Sequence, residues 1–96
     1  MSFGLLNKSF NKIAQEVGME PVMFDVESSN IQQIGYDSEQ SELYVRFLAK
    51  GNNPSTLYVY YNVEPEMWED FFAAESKGRY LHQYIKQGGY EYGRLE

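Results

Sequence analysis

Two runs of alternating residues in the middle of the chain constrain the fold more than any other feature. In LYVRF, residues 43–47, apolar and polar side chains alternate with the period of a half-buried strand. The run LYVYYNV, residues 57–63, repeats the alternation and contains three tyrosines. Glycine, asparagine and proline, which favour turns, occur in the connection LAKGNNPST at 48–56. The pattern therefore predicts a β-hairpin with a rather long connection.

The alternation also predicts which side chains share a face of this hairpin. If Leu57, Val59 and Tyr61 face the core, the next residues along the strand face the other way. The opposite face would then carry a tyrosine pair together with a tyrosine and an arginine from the neighbouring strand: Tyr58, Tyr60, Tyr44 and Arg46.

Further strand signals precede the hairpin. The segment PVMFDV at 21–26 alternates, and the short polar residues at 28–30 indicate a turn or bulge. Ile31 and Ile34 are three residues apart, so a bulge, or a kink at Gly35, is needed to place both on one face. The polar segment YDSEQSE predicts a hairpin loop that begins at Asp37.

Two helices are predicted after the hairpin. The first runs from about Pro65 to Lys77, with proline in its first turn and Gly78 as its C-terminal stop. The second is the short segment RYLHQYIK at 79–86, whose tyrosines and aliphatic residues recur four apart. The tail QGGYEYGR at 87–94 is interpreted as a loose segment or a short final strand.

The N-terminal segment has its own pattern. Leu6, Phe10, Ile13 and Val17 mark one face of a helix that would end at Gly18. This helix either docks on the domain or is an amphipathic arm that binds a partner or a membrane surface, and its balanced local charges argue against the membrane. The final two residues, Leu-Glu, resemble an expression-vector remnant. The predicted organisation is an N-terminal helical extension at 1–20, a domain at 21–94 and a remnant at 95–96.

The predicted fold class is a small α+β domain. An antiparallel meander of three to four strands packs against a C-terminal helix pair, with an additional N-terminal helix. A chain of 96 residues, of which 43% are hydrophobic and 17% aromatic, is long enough for a single core.

Charge and cysteine content exclude several classes of function. The net charge of −6 argues against a protein that coats duplex phosphates with lysine and arginine. The chain has no cysteine, which rules out disulfides and cysteine-based zinc sites and suits a cytoplasmic location. It also has no apolar run long enough to span a membrane.

Catalytic and metal-binding patterns are weak. His82 is the only histidine, and no P-loop, dinucleotide-binding motif or nucleophile elbow accompanies it. Asp37, Glu39 and Glu42 do not have the spacing of a calcium-binding loop and are interpreted as a solvated hairpin loop. We therefore expect no enzyme activity, no metal and no cofactor.

Aromatic and basic residues form the remaining signal. Between Lys77 and Lys86 the chain carries cations, His82 and two tyrosines but no acid. Single-stranded nucleic acids are bound by such a combination, in which cations contact phosphates and rings stack on bases. The candidate binding residues are Tyr44, Arg46, Tyr58, Tyr60, Lys77, Arg79, Tyr80 and Lys86.

Two alternatives remain open for these residues. Tyrosine favours strands because it packs a large apolar ring and keeps a hydrated hydroxyl group, so Tyr58 and Tyr60 would be core residues if both sheet faces are covered. Exposed tyrosine and arginine also mark protein interfaces. The hypotheses are thus an RNA-binding module, or a module for protein interaction or self-association through the tyrosine-rich face or the N-terminal helix.

From Val26 to Lys86 the chain resembles the KTSC domain family. The matching segments, in order, are VESSNIQQIGYD, LYVRF, the Y-x-Y motif at Tyr58 to Tyr60, and AAESKGRYLHQYIK. The chain departs from the family in its longer connection between the hairpin strands and in Glu64, which intervenes between Val63 and Pro65.

The resemblance implies a small stand-alone domain of the kind found in bacteria and phages. The family takes its name from a segment at the C-terminus of some lysyl-tRNA synthetases, and this context implies a role in RNA binding. The family brings no catalytic residues, so the resemblance adds none to this chain.

Overall fold

The computed structural model describes residues 21–96, and the helix predicted for residues 1–20 lies outside the described residues. The strands are β1 (Met23–Asp25), β2 (Ile31–Asp37), β3 (Glu42–Phe47), β4 (Thr56–Tyr60) and β5 (Tyr92–Arg94). The helices are α1 (Pro65–Ala73) and α2 (Lys77–Tyr80), and α2 continues directly into a π-helical segment, Leu81–Lys86. The continuous helical stretch at 77–86 is called the C-terminal helix below.

The strands form one antiparallel sheet in the order β1-β2-β3-β4-β5, which makes the fold an α+β meander with two helices near the C-terminus. The prediction of three to four strands was too low. The tail at 92–94 forms the additional edge strand, because its backbone pairs with residues 58–60 of β4. A left-handed glycine, Gly89 at φ 79°, lies in the turn that leads into this strand.

A bulge in β2 resolves the spacing of its two isoleucines. Ile31 pairs with Phe47 whereas Gln33 pairs with Arg46, so the bulged strand carries one extra residue between them. The insertion places Ile31 and Ile34 on the same face, and both are buried in the main core. The predicted bulge is therefore confirmed.

The two predicted turns around β2 are held by side-chain oxygens. Ser28 Oγ accepts from the backbone N–H groups of Asn30 and Ile31 at 3.3 and 3.2 Å. Asp37 Oδ1 accepts from the N–H groups of Glu39 and Gln40 at 3.0 and 3.2 Å. Such bonds fix the chain where it leaves one strand and enters the next.

The first helix begins as predicted at Pro65 but ends earlier than predicted. Ala74 is already extended, and a new helix begins at Lys77, with Ser76 Oγ accepting from the N–H of Arg79 at 3.2 Å. Serine is a favoured N-cap, so it separates the two helices. Gly78 lies inside the second helix and is not the stop of the first. Within residues 21–96, no helix has the length and apolar character needed to cross a membrane.

The main core lies between one face of the sheet and the helices. Its nine buried residues come from strands, helices and the segment before α1: Ile31, Ile34, Leu43, Val45, Tyr60, Val63, Phe71, Leu81 and Ile85. A smaller buried cluster of Tyr44, Leu57 and Val59, with Met23 and Tyr61 packed against it, occupies the other face.

The predicted sharing of faces by β3 and β4 is wrong. In the antiparallel ladder Val45 pairs with Tyr58 and Tyr44 pairs with Val59. Directly paired residues project from the same face, so Tyr58 and Tyr60 lie on the helix-covered face. The two candidates of β3, Tyr44 and Arg46, lie on the opposite face. Alternation determines faces only within each strand, and the register across the 48–55 connection determines how the strands match.

Candidate functional site

An open cleft of about 480 Å³ lies on the helix-covered side of the sheet, at the edge formed by β4 and β5. Five of its seven lining residues are aromatic, and the other two are a threonine and a lysine. The lining consists of Phe47, Thr56, Tyr58, Tyr60, Lys86, Tyr90 and Tyr92. This set is called the aromatic cleft.

Strand alternation and register bring the tyrosines of the cleft together. Tyr58 and Tyr60 are two residues apart in β4, so their rings project from the same face. Tyr92 of β5 pairs directly with Tyr60 and therefore projects beside it. The glycine turn at 88–89 returns the chain from the end of the C-terminal helix to the sheet, which explains why a residue of the tail reaches this site.

The three rings form a compact cluster. Their centroids are 6.5 Å apart for Tyr58 and Tyr60, 5.9 Å for Tyr58 and Tyr92, and 5.8 Å for Tyr60 and Tyr92. Tyr60 is 3% exposed and forms part of the core, whereas Tyr92 is 62% exposed. Tyr58 is intermediate. The cluster therefore passes from a fixed inner ring to an accessible outer ring.

Among the described residues, the hydroxyl groups of Tyr58, Tyr60 and Tyr92 are not used to hold the fold, in contrast to those of three other tyrosines. Tyr36, Tyr80 and Tyr90 use their hydroxyl groups to hold the fold, with acceptors on Val63, Met67 and Glu64 respectively. Within the described part of the chain, the hydroxyl groups of the cleft trio (Tyr58, Tyr60 and Tyr92) make no such bond.

Burial, with smaller contributions from the neighbouring phenols of Tyr58 and Tyr92, raises the pKa of Tyr60 to about 12. The Tyr60 hydroxyl is therefore neutral at physiological pH and can both donate and accept a hydrogen bond.

The charge at the cleft is positive. Lys86, near the end of the C-terminal helix, lies over the Phe47 ring with Nζ 5.2 Å from the ring centroid. No aspartate or glutamate is among the described residues that line the cleft. An anionic group bound at its mouth would meet the ammonium ion of Lys86, while the Glu64 carboxylate lies behind the lining, where it accepts from the Tyr90 hydroxyl at 3.0 Å.

The structure distributes the eight candidate residues over several places. Three of them, Tyr58, Tyr60 and Lys86, meet in the aromatic cleft. Tyr44 and Arg46 lie on the opposite face of the sheet, where the Tyr44 hydroxyl donates to Glu42 and Arg46 Nη1 is 2.9 Å from Glu96 Oε1. Burial raises the pKa of Tyr44.

The other three candidates lie elsewhere along the C-terminal helix. Lys77 and Arg79 line a polar depression beside the turn at 28–30. Tyr80 stacks on Phe71 with ring centroids 5.6 Å apart, and its hydroxyl group reaches the sulfur of Met67 at 2.9 Å. Tyr80 is therefore placed as a packing residue between the two helices.

Four residues of the cleft were not among the candidates: Phe47, Thr56, Tyr90 and Tyr92. The alternating tyrosines in YEY at 90–92 resemble those of the Y-x-Y motif and are the one signal that could have identified the last two. Phe47 and Thr56 form a pair across the β3–β4 ladder, so only the register brings them to this site.

The residues considered for catalysis or metal binding are not grouped as a catalytic or metal site among residues 21–96. His82 is exposed, with its Nε2 3.2 Å from the side-chain nitrogen of Gln87. Asp37 holds the turn before β3 through its two backbone bonds. Among residues 21–96, no three histidine, cysteine, aspartate or glutamate side chains gather as metal ligands would.

Comparison with known proteins identifies relatives of the whole domain. The sequence model of the KTSC domain matches residues 27–90, which include every cleft residue except Tyr92. A protein of Tsukamurella paurometabola is 41% identical over 64 residues, which are 67% of this chain and 88% of the relative. An uncharacterized protein of Stutzerimonas stutzeri is 35% identical over 71 residues, or 74% and 93% of the two chains.

A solved structure has the same fold. The crystal structure of a KTSC domain protein from Yersinia pestis superposes with a TM-score of 0.68 at 31% sequence identity. The match covers 78% of this chain and 97% of the other.

Proposed function

The chain belongs to the KTSC domain family, and we propose that it is a non-catalytic module that binds single-stranded RNA in the aromatic cleft. The observation that carries this proposal is the cluster of Tyr58, Tyr60 and Tyr92, whose hydroxyl groups make no hydrogen bond within residues 21–96 and whose outer ring is 62% exposed. Lys86 adds a cation at the same place.

Each part of the cleft has a distinct role in this proposal. The accessible rings of Tyr92 and Tyr58 stack on a base, an interaction that contributes about 1–3 kcal/mol per base. Tyr60 is fixed by the core and presents its hydroxyl group to the polar edge of that base. Lys86 contacts the adjoining phosphate.

A single strand suits the site better than a duplex. Bases of a duplex are stacked on one another, so their faces are not accessible to an aromatic ring. The chain also has a net charge of −6, so its affinity for nucleic acid must come from a local site and not from the protein surface as a whole. RNA rather than DNA is proposed because of the synthetase context implied by the family.

Tyr92→Ala tests the proposal most directly, because Tyr92 is exposed and its loss should leave the core intact. Binding of a short mixed-sequence single-stranded RNA is followed by amide-shift titration of labelled protein at low and moderate salt. We expect shifts at residues 58–60, 86 and 90–92, and a loss in affinity of about tenfold for the variant, which corresponds to one stacking contact.

Tyr84→Ala is the matched control. Tyr84 is 47% exposed and packs against Tyr80, on a part of the C-terminal helix outside the aromatic cleft. Its replacement should not change RNA binding. If folded wild-type protein shows no shifts with RNA at either salt, or if both variants lose the same affinity, the proposal is wrong. Equal affinity for DNA of the same sequence would retain the site but remove the preference for RNA.

A second candidate function, self-association or binding to another protein, is favoured by a different surface. Phe24 of edge strand β1 and Phe72 of α1 are 44% and 46% exposed, and their rings meet at 5.4 Å. Trp68 lies beside both, and Tyr36 stacks on its inner side at 5.6 Å. Exposed aromatic clusters of this kind are typical of protein interfaces.

Sedimentation over a range of protein concentrations tests self-association through this patch. A dimer should appear as the concentration rises and should disappear in the variant Phe24→Ser/Phe72→Ser. A single monomeric mass at every concentration would exclude self-association and leave only a different protein as the partner of this surface.

A further inference from the structure

The aromatic cleft adjoins a second depression of about 390 Å³ at Lys86. The two share Phe47, Thr56 and Lys86 in their walls. The second depression, called the middle depression, is otherwise lined by Asn30, Leu48, Lys50, Asn53, Pro54 and Arg94. It therefore lies between the cleft and the tip of the β3–β4 hairpin.

The middle depression adjoins in turn the polar depression beside the turn at 28–30. The shared wall here is Asn30 and Lys50. The polar depression, of about 420 Å³, also contains the start of the C-terminal helix with Lys77 and Arg79. The three adjoining depressions, called the groove below, thus extend from the three tyrosines, past the hairpin, to the beginning of that helix.

The charge along this groove is opposite to that of the protein. Residues 21–96 contain six lysines and arginines, and five of them line the groove: Lys50, Lys77, Arg79, Lys86 and Arg94. The remaining one, Arg46, lies on the other face of the sheet. The middle depression has three cations and no carboxylate in its described lining, whereas the polar depression also contains Glu27 and Glu75. The most positive part of the groove is therefore next to the aromatic cleft.

We propose that the middle depression is a phosphodiester site, so that the ligand is a strand of linked nucleotides and not a free base or nucleotide. This inference rests on the proposed function of the cleft. With one base stacked on Tyr92 and Tyr58, the phosphates that follow lie between Lys86, Arg94 and Lys50. The strand then continues past Asn30 towards Lys77. Cations along a backbone path next to stacking rings are the arrangement of sequence-tolerant single-strand binding.

Two predictions distinguish a strand site from a site for one nucleotide. Affinity should rise from a nucleoside monophosphate to a dinucleotide and again to an octanucleotide, because each longer ligand reaches further cations. The salt dependence should also become steeper, by about 0.7 in the logarithmic slope for each added phosphate contact in a single strand.

The double variant Lys50→Gln/Arg94→Gln tests the site itself, and Arg46→Gln is a control that removes one positive charge away from the groove. Fluorescence anisotropy of a labelled octanucleotide is measured on the full chain, and circular dichroism checks that each variant is folded. We expect the double variant to bind the octanucleotide about tenfold more weakly, with a salt slope lower by about 1.4. The double variant should bind the nucleoside monophosphate with nearly the affinity of the wild type. Arg46→Gln should bind both ligands with nearly the affinity of the wild type.

The outcomes separate this inference from the function on which it rests. If the cleft binds a nucleoside monophosphate but affinity does not depend on length or on Lys50 and Arg94, the strand site is wrong and the cleft proposal stands. If no nucleotide ligand of any length binds, both are wrong. If polyglutamate competes as well as the octanucleotide, the groove is a general polyanion surface, which also overturns the strand site.

Discussion

Tyr60 of β4 lies directly opposite Leu43 of β3 in the antiparallel ladder, and both side chains are buried in the main core. Tyr60, the second tyrosine of the Y-x-Y motif, is thus a structural residue whose ring packs in the core. Its neighbours Tyr58 and Tyr92 extend the same aromatic surface outwards into the cleft. One end of the cluster therefore packs in the core, and the other end is exposed in the cleft.

Tyr60→Ala should destabilise the domain severely. The ring is 3% exposed, and removal of a buried aromatic side chain costs about 3–5 kcal/mol in the free energy of unfolding. Tyr60→Phe should cost less than about 1.5 kcal/mol, because it keeps the volume and removes a hydroxyl group that holds no other part of residues 21–96. Urea unfolding followed by Trp68 fluorescence measures both, with Tyr84→Ala as an exposed control. A Tyr60→Ala domain that unfolds at the wild-type urea concentration would contradict the core position of the ring.

Alkaline pH should destabilise the domain through the same residue. A tyrosine in an unfolded chain has a pKa of about 10, whereas burial raises the pKa of Tyr60 to about 12 in the folded domain. Above pH 10 the unfolded chain loses a proton that folded Tyr60 keeps. The stability that the neutral Tyr60 side chain contributes is therefore fully present below pH 10 and is lost as the pH rises towards 12.

The loss attributable to Tyr60 is at most about 3 kcal/mol. Burial raises the pKa of Tyr44 as well, so the wild type should show a combined effect. Thermal unfolding at pH values between 9 and 12 should show a smaller decline in melting temperature for Tyr60→Phe than for the wild type. An identical decline in both proteins would exclude Tyr60 as a source of the alkaline sensitivity.

Much of the sheet can be predicted from the sequence because alternation and turn chemistry act over a few residues. The runs at 43–47 and 57–63, the bulge needed by Ile31 and Ile34, and the loop that begins at Asp37 all have a local physical cause. The pairing of faces between β3 and β4 does not. A shift of one residue in register exchanges the two faces. The sequence of the 48–55 connection does not show how many of its residues form the turn, so the sequence does not determine the register.

The cleft shows the same limit. Tyr58 and Lys86 could be identified from the aromatic and basic pattern of their own segments. Tyr92 belongs to a strand of three residues that exists only because its backbone pairs with β4, so its local sequence resembles a loop. The assignment of Gly78 as a helix stop failed for a related reason. Ser76 offers a competing N-cap two residues earlier, and the cap determines where the second helix begins.

Gly78→Ala should not bring the stability that alanine usually adds to a helix. A Cβ atom at this position would lie 2.7 Å from Oδ1 of Asn30, closer than non-bonded atoms approach. The Asn30 side chain must then turn away and give up the hydrogen bond that Oδ1 accepts from Ser28 Oγ at 3.0 Å. The loss of that bond costs about 0.5–1.5 kcal/mol, which offsets the gain of about 1 kcal/mol from alanine. We expect the free energy of unfolding to change by less than about 0.5 kcal/mol. The pair Asn30→Gly/Gly78→Ala removes the clash and should lose less than the sum of the two single changes. Strict additivity in urea unfolding would show that the two side chains do not interfere.

Ser28→Ala should destabilise the turn at 28–30, which contains Asn30. Ser28 Oγ accepts from the N–H groups of Asn30 and Ile31 at the entrance to β2 and donates to Asn30 Oδ1 at 3.0 Å. The loss of these three bonds should cost at least about 1.5 kcal/mol, since each contributes about 0.5–1.5 kcal/mol net. Ser29→Ala is the control, because the adjacent serine is exposed and should change stability by less than about 0.5 kcal/mol. Hydrogen exchange at the Ile31 amide provides a second readout, and it should accelerate in Ser28→Ala alone. Equal effects of the two serines on stability and exchange would mean that the turn is held by its backbone and not by the Ser28 hydroxyl group.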